Sequence, residues 1–234
     1  MVSMRAPAEI RASLPLLLSF NGGYVDAAGF LALQGLFTAH VTGNFVTLGA
    51  SLALGTAGAL AKLLALPVFC AVVIGVRLLN TALSNRQRPP IEELLILKTV
   101  LLIAGAILAI QWGPFQDASS APALVTGMVL VAAMAIQNAF HRMHLGSAPP
   151  STLMTGTTTQ VMIDLADRMY APRGTEGRAG TRLVQMSINI LVFAVGCGAA
   201  ALLYSRVGML CFLVPPIVGG LQLVVLLSGR SQPE

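Results

Sequence analysis

The chain has 234 residues, 56% of them apolar and only 10% charged, with a net charge of +5 and a mean hydropathy of +0.80. Those values exclude an ordinary water-soluble domain, in which about a quarter of residues are charged, and they predict several membrane-spanning segments. Aromatic residues are too few for base stacking and no basic amphipathic run is present, so the excess charge belongs to loops, and no nucleic-acid partner is expected.

Residues 1–11 form a short basic tail with Arg5 and Arg11. The apolar run behind it is longer than a signal-peptide core and has no small-x-small cleavage site. It predicts an uncleaved first span at about 13–37, interrupted by Asn21-Gly22-Gly23 and by Asp26. A short apolar segment follows at 42–54, opened by Thr42-Gly43-Asn44. As a helix it would be roughly 20 Å long, against about 30 Å of bilayer core. The second span is expected at about 56–83 with Pro67 inside it, then a turn at 84–90 with Arg86, Arg88 and Pro89-Pro90. The third span lies at about 91–111, and the loop at 112–122 holds Asp117 but no Lys or Arg.

The order then recurs. A fourth span is expected at about 123–143, and Pro149-Pro150 breaks the chain. Ser151 or Thr152 can cap a second short helix running to about 169. A polar loop at 170–182 carries Arg173, Arg178 and Arg182, and the last spans lie at about 183–204 and 209–228, with Pro215-Pro216 kinking or breaking the sixth. Each half thus reads long, short, long, long. Leu153-Met-Thr-Gly-Thr157 echoes Val41-Thr-Gly-Asn44, and Asp26 precedes Thr42 by 16 residues where Asn138 precedes Thr155 by 17. We take 13–111 and 123–228 as two repeats of a single membrane domain covering 1–234.

Charge sets the topology. With the N-terminus inside and the short segments dipping in and out on one side, Arg5, Arg11, Arg86, Arg88, Arg142, Arg168, Arg173, Arg178, Arg182 and Arg230 fall inside. Arg77 and Lys98 lie near the inner ends of their spans, and only Lys62 and Arg206 fall outside. Were the short segments to cross, Arg77, Arg86, Arg88, Lys98, Arg142 and Arg206 would move outside, against the positive-inside rule. The expected fold is therefore all-α: six full transmembrane helices and two re-entrant short ones. Three crossings per repeat make the halves inverted. Both termini are expected in the cytoplasm, in a multi-pass protein of a bacterial inner membrane.

The candidate site follows from the polar interruptions. Asp26 is costly at membrane depth, so it must be protonated, paired or turned to a cavity, and it could serve a proton or cation. Thr42, Asn44, Thr155 and Thr157 can satisfy backbone N–H groups at helix starts inside the membrane, and Gly43 and Gly156 allow close approach of a ligand or backbone. Such N-termini attract anions; capping and helix packing are the structural alternative. Asn21 with Gly22-Gly23 either unwinds the first span or makes a packing notch, and Gln137, Asn138, Gln185 and Asn189 line the same interior or bond between helices. Cys70, Cys197 and Cys211 lie in apolar runs without a CxxC pair and read as small buried hydrophobes. His141 and His144 have metal-compatible spacing, but only His40 remains elsewhere, so neither metal nor cofactor is expected. Asp164, Asp167 and Arg168 read as solvated ion pairs. No nucleophile motif, P-loop or dinucleotide fingerprint occurs, so the chain is not expected to be an enzyme.

At Gly23-Tyr-Val-Asp-Ala-Ala-Gly-Phe30, at Phe37-Thr-Ala-His-Val-Thr-Gly-Asn44, and at Gln137-Asn-Ala with Leu153-Met-Thr-Gly-Thr157, the chain resembles the YoaK-like family. That resemblance spans nearly the whole chain and implies a bacterial inner-membrane protein built on a domain of unknown function. It brings no catalytic or binding residues with it. The expected function is a transporter or channel for a small polar or anionic solute, with Asp26 coupling protons or orienting substrate. The alternative is a non-transporting scaffold or sensor whose polar motifs only pack helices. The expected partners are the bilayer and a small molecule or ion. The small-residue run Gly196-Cys-Gly-Ala-Ala200 also permits close helix contacts, within one chain or in a homo-oligomer.

Overall fold

A computed structural model describes residues 8–84, 90–170 and 177–228, with the backbone alone described at 8–12, 84 and 177–179. Arg5, Arg86, Arg88, Arg173 and Arg230 lie outside the described residues. The described chain is entirely helical, with no strand. Its helices are α1 (Ala8–Ala32), α2 (Gly43–Leu54), α3 (Ala59–Ser84), α4 (Ile91–Trp112), α5 (Ala121–His144), α6 (Met154–Tyr170), α7 (Gly177–Val207) and α8 (Val214–Ser228), with a 3₁₀ turn at Gly208–Leu213 before the last.

Among the described residues, four stretches are long and apolar enough to cross a membrane: Ala59–Leu83, Ile91–Trp112, Ala121–His144 and Gly180–Ser228. The last joins α7 to α8 and is reversed at Gly208, whose φ of +58° sits in the left-handed region that glycine tolerates. α1 is long enough but is not among the four: Asn21, Gly22, Gly23 and Asp26 dilute its apolar character. The sixth expected span is short as an α-helix, because the chain enters it through the 3₁₀ turn. Pro215 and Pro216 fall in the first turn of α8, where a missing N–H costs nothing.

α1 sits at the centre. It packs most extensively against α7, then against α8 and α5. α5 packs against α4 and α3, α4 packs against α8, and the short α2 and α6 lie on α3 and α7 respectively. The α1–α7 contact is a backbone approach. A methyl group at Gly23 would stand 2.2 Å from the Phe193 carbonyl oxygen, and one at Gly196 would stand 2.3 Å from that of Phe20. Gly22-Gly23 is thus a packing notch in an unbroken helix, and no unwinding of α1 occurs. Cys197 donates to the Gly23 carbonyl across the same crossing, at 3.3 Å. Cys211 is buried, whereas Cys70 is exposed on α3, contrary to its reading as a buried hydrophobe.

α1 ends at Ala32, before the expected 37, because Gln34 (φ +50°) and Gly35 (φ +89°) turn the chain back. Gln34 Nε2 donates to the Gln116 carbonyl at 2.8 Å, and the Gly58 N–H donates to Ser119 Oγ at 3.2 Å. The chain before α2 and the chain after it are therefore tied to one connection, that between α4 and α5.

Candidate functional site

Ser19, Gly22 and Asp26 fall on one face of α1, spaced three and four apart. The connection at 33–42 folds back over that face. Asp26 Oδ1 accepts from the backbone N–H groups of Thr38 and Ala39, both at 2.7 Å, and from the Thr38 hydroxyl at 3.4 Å. Its Oδ2 lies 2.7 Å from His40 Nδ1. Donors on both oxygens offset the desolvation that a buried carboxylate suffers.

The second half builds a neutral version. Thr152 Oγ1 donates to Asn138 Oδ1 at 2.5 Å. His40 and Thr152 each stand 14 residues beyond the α-helical partner they bond, Asp26 and Asn138. The two pairs are neighbours, because the Thr152 carbonyl lies close enough to the His40 ring to act on it electrostatically. Phe193 stands edge-on to that ring, with centroids 5.4 Å apart. Gly22 lets the second connection settle on α1: a methyl group there would stand 3.0 Å from the Ser151 carbonyl oxygen and 3.2 Å from Thr152 Cγ2.

Above Asn138, Ser151 and Thr152 opens a cavity of about 460 Å³. The α5–α6 connection and the first turns of α7 wall it, and Arg142, Arg182 and Gln185 stand exposed at its edge. No carboxylate among the described residues lines it.

Of the residues singled out in the sequence, Asp26 and Asn138 belong to this cluster. Asn44 is buried but does a different job: it accepts from Phe37 N at 2.9 Å and donates to Phe37 O at 2.8 Å, closing the 33–42 connection. Thr42 is exposed and makes no cap bond, and Gly43 lies against the Phe37 ring. The first N–H groups of α2 are taken by the carbonyls of His40, Val41 and Thr42, so that end is not open to an anion. Thr155 and Gly156 are exposed on the outer side of α6, with nothing within 4 Å of a methyl group at Gly156. Thr157 is buried, its hydroxyl turned back to the Leu153 carbonyl at 2.8 Å. Neither Ser151 nor Thr152 caps α6. Asn21 is buried with no partner for its amide among the described residues. His141 is buried and His144 stacks on Phe140, and no three metal-ligating side chains gather among the described residues.

Three features escape the sequence. His40 and Thr152 are one, and their signal is the equal 14-residue separation. Another is Lys98, expected at a span's inner end but fully buried, its Nζ bonded to Gln137 Oε1 at 2.8 Å and Gln222 Oε1 at 2.5 Å. Those glutamines in turn donate to the carbonyls of Leu18 and Leu17 on α1, at 2.8 and 2.9 Å. The third is Lys62, expected outside but buried, with its Nζ 2.6 Å from Ser51 Oγ on α2.

A family model described as a protein of unknown function (DUF1275) matches residues 14–226. The UPF0700 transmembrane protein YoaK of Bacillus subtilis (strain 168) is 28% identical over 200 residues, covering 83% of this chain and 84% of that protein. No solved structure matches.

Proposed function

The chain belongs to the DUF1275 family of proteins of unknown function, and on that premise we propose that this membrane protein is a transporter or channel for a small polar or anionic solute, proton-coupled through Asp26 and its partner His40. The observation that carries the reading is the position of His40, between Asp26 of one half and Thr152 of the other, beneath the floor of a cavity. A carboxylate and a backbone carbonyl both accept, so a bond from the ring to the Thr152 carbonyl beside that to Asp26 would need a proton on each nitrogen. Loss of one proton would leave the ring only one such bond. Proton occupancy is thereby tied to the contact between the two connections.

The architecture supports an inverted pair of repeats. Exchange of α1–α4 with α5–α8 turns the α1–α7 contact into α5–α3, α1–α8 into α5–α4, and α2–α3 into α6–α7, all of which occur. Anchoring of Gln34 and Gly58 to one connection supports a re-entrant α2, and the arginine distribution supports cytoplasmic termini in a bacterial inner membrane.

The test is solute-evoked proton movement in proteoliposomes loaded with a pH-sensitive dye, screened with carboxylates, phosphates and amino acids. At least one solute is expected to acidify the lumen, and Asp26→Asn and His40→Gln, which keep a polar group in place, are expected to abolish that response. An unchanged response in Asp26→Asn overturns the coupling role. The scaffold or sensor reading is favoured by one observation, the two-way bond of Asn44 to Phe37, which fixes a connection. It predicts a loss of thermal stability in Asn44→Ala with no solute response in the wild type.

A further inference from the structure

The cavity itself holds more chemistry than the proton pair uses. Arg142 lies in the last turn of α5 and Arg182 near the start of α7, and both line it. Neither is ion-paired among the described residues. The positive-inside rule accounts for arginines at this end of the bundle, but not for two of them facing one cavity with no carboxylate among its described lining residues. Two lining residues also carry unanswered polar atoms. Ser151, 1% exposed, and His141, 6% exposed, leave Oγ and Nδ1 without partners among the described residues. Buried polar atoms left without partners are uncommon in folded proteins and call for an explanation. The volume, about 460 Å³, lies within the range of about 300–1,000 Å³ that holds small-molecule ligands.

We propose that this cavity binds an oxyanion, a phosphate or carboxylate group gripped by Arg142 and Arg182 over a floor of Ser151, Thr152 and Asn138. Guanidinium groups match such groups with paired N–H donors, and a seryl hydroxyl supplies a further donor. The inference deepens the transport reading by naming the charge of the solute, and its role as a substrate site rests on that reading. The same chemistry fits a free anion or the headgroup of an anionic lipid.

The experiment uses the full chain, wild type and Arg142→Gln/Arg182→Gln. Sodium phosphate and sodium succinate are titrated by calorimetry in neutral detergent, against sodium chloride at matched ionic strength. In parallel, nanodiscs of phosphatidylcholine with and without phosphatidylglycerol are compared by counting lipids retained on the protein by native mass spectrometry. Loss of two charge-assisted contacts is expected to weaken binding about tenfold or more, and Arg142→Lys/Arg182→Lys is expected to restore part of it. Phosphate or succinate binding lost in the glutamine variant supports the site with a free anion as ligand. Retention of phosphatidylglycerol lost in that variant supports it with a lipid headgroup. No binding beyond chloride in either format, or binding equal in wild type and variant, overturns it. Binding that depends on the arginines in a protein that moves no solute keeps the site and removes the transporter. A proton response abolished by Asp26→Asn, with no anion or lipid bound, does the reverse.

Discussion

Gly23 and Gly196 decide how close the two central helices come. Each would drive a methyl group into a backbone carbonyl oxygen of the other helix, at 2.2 and 2.3 Å. A backbone atom cannot swing aside as a side chain can, so the helices must separate. Gly196→Ala is expected to cost about 1–3 kcal/mol and to lower the midpoint of thermal unfolding by about 5 °C. Gly198→Ala, two residues on and with nothing within 4 Å of its new methyl group, is the control and is expected to leave the midpoint unchanged. Equal midpoints for the two variants in a thermal-shift assay would remove the close contact as a source of stability. At this scale the sequence is uneven in what it discloses. Asp26 stands out because a carboxylate in an apolar run needs a reason. His40 and Thr152 do not, because neither residue is unusual alone and their importance lies in pairing. Matching Thr42 with Thr155 sets the halves one residue out of register, which hides the equal spacing of Asp26–His40 and Asn138–Thr152. Gly43, Thr155 and Gly156 are prominent in the motif, yet they face a ring or open surroundings; at α2 the loop carbonyls of His40, Val41 and Thr42 have already met the needs of the terminus.

The helices themselves follow from apolar runs, and each expected span has a helical counterpart. Their ends are harder to place, since ends are set by local backbone and capping where hydropathy says little. α1 stops early at the left-handed pair Gln34-Gly35, and α7 starts at Gly177, well before the expected 183, because its polar first turns can be helical beyond the apolar zone. The short α2 is the element with most at stake. Phe45, Val46, Leu52 and Leu54 are all more than half exposed, so its outer face is suited to lipid, while Asn44 and Ser51 turn inward. The proposed re-entrance has a direct check by side-specific labelling in a background carrying Cys70→Ser, Cys197→Ser and Cys211→Ala. Ala57 is exposed in the connection from α2 to α3, and Asp117 lies in the connection from α4 to α5. Cysteines at Thr42, exposed just before α2, and at Ala57 and Asp117 are expected to react with an impermeant maleimide from one side of the membrane, and a cysteine at Ser147 from the other. Reaction of Ala57→Cys from the side opposite to Thr42→Cys would make α2 a crossing helix and end the argument for inverted halves.

On the scale of the whole molecule, the proposed repeats would share a plan and differ in state. The 33–42 connection is shut: its backbone N–H groups close on Asp26, and Asn44 ties Phe37 from both sides. The 145–153 connection stands open over its cavity, held at Pro149 by Asn189 at 3.0 Å. Two inverted repeats in different conformations are what alternating access requires, since exchange of the conformations moves the opening to the other face. In the proposed mechanism His40, part of one connection and close to the other, makes their states exclusive. Under that proposal, weakening the shut connection must also act on the open one. Asn44→Ala removes two hydrogen bonds, about 1–2 kcal/mol, and is expected to raise the labelling rate of a cysteine at the buried Ala39 about five- to thirtyfold. The same variant is expected to slow labelling of a cysteine at Ser147 on the opposite face, more than 100 residues away in sequence and lining the cavity. The second effect carries the weight. Loosening of one connection by itself speeds Ala39→Cys and leaves Ser147→Cys alone, whereas coupled halves trade one opening for the other, and only the trade moves a solute.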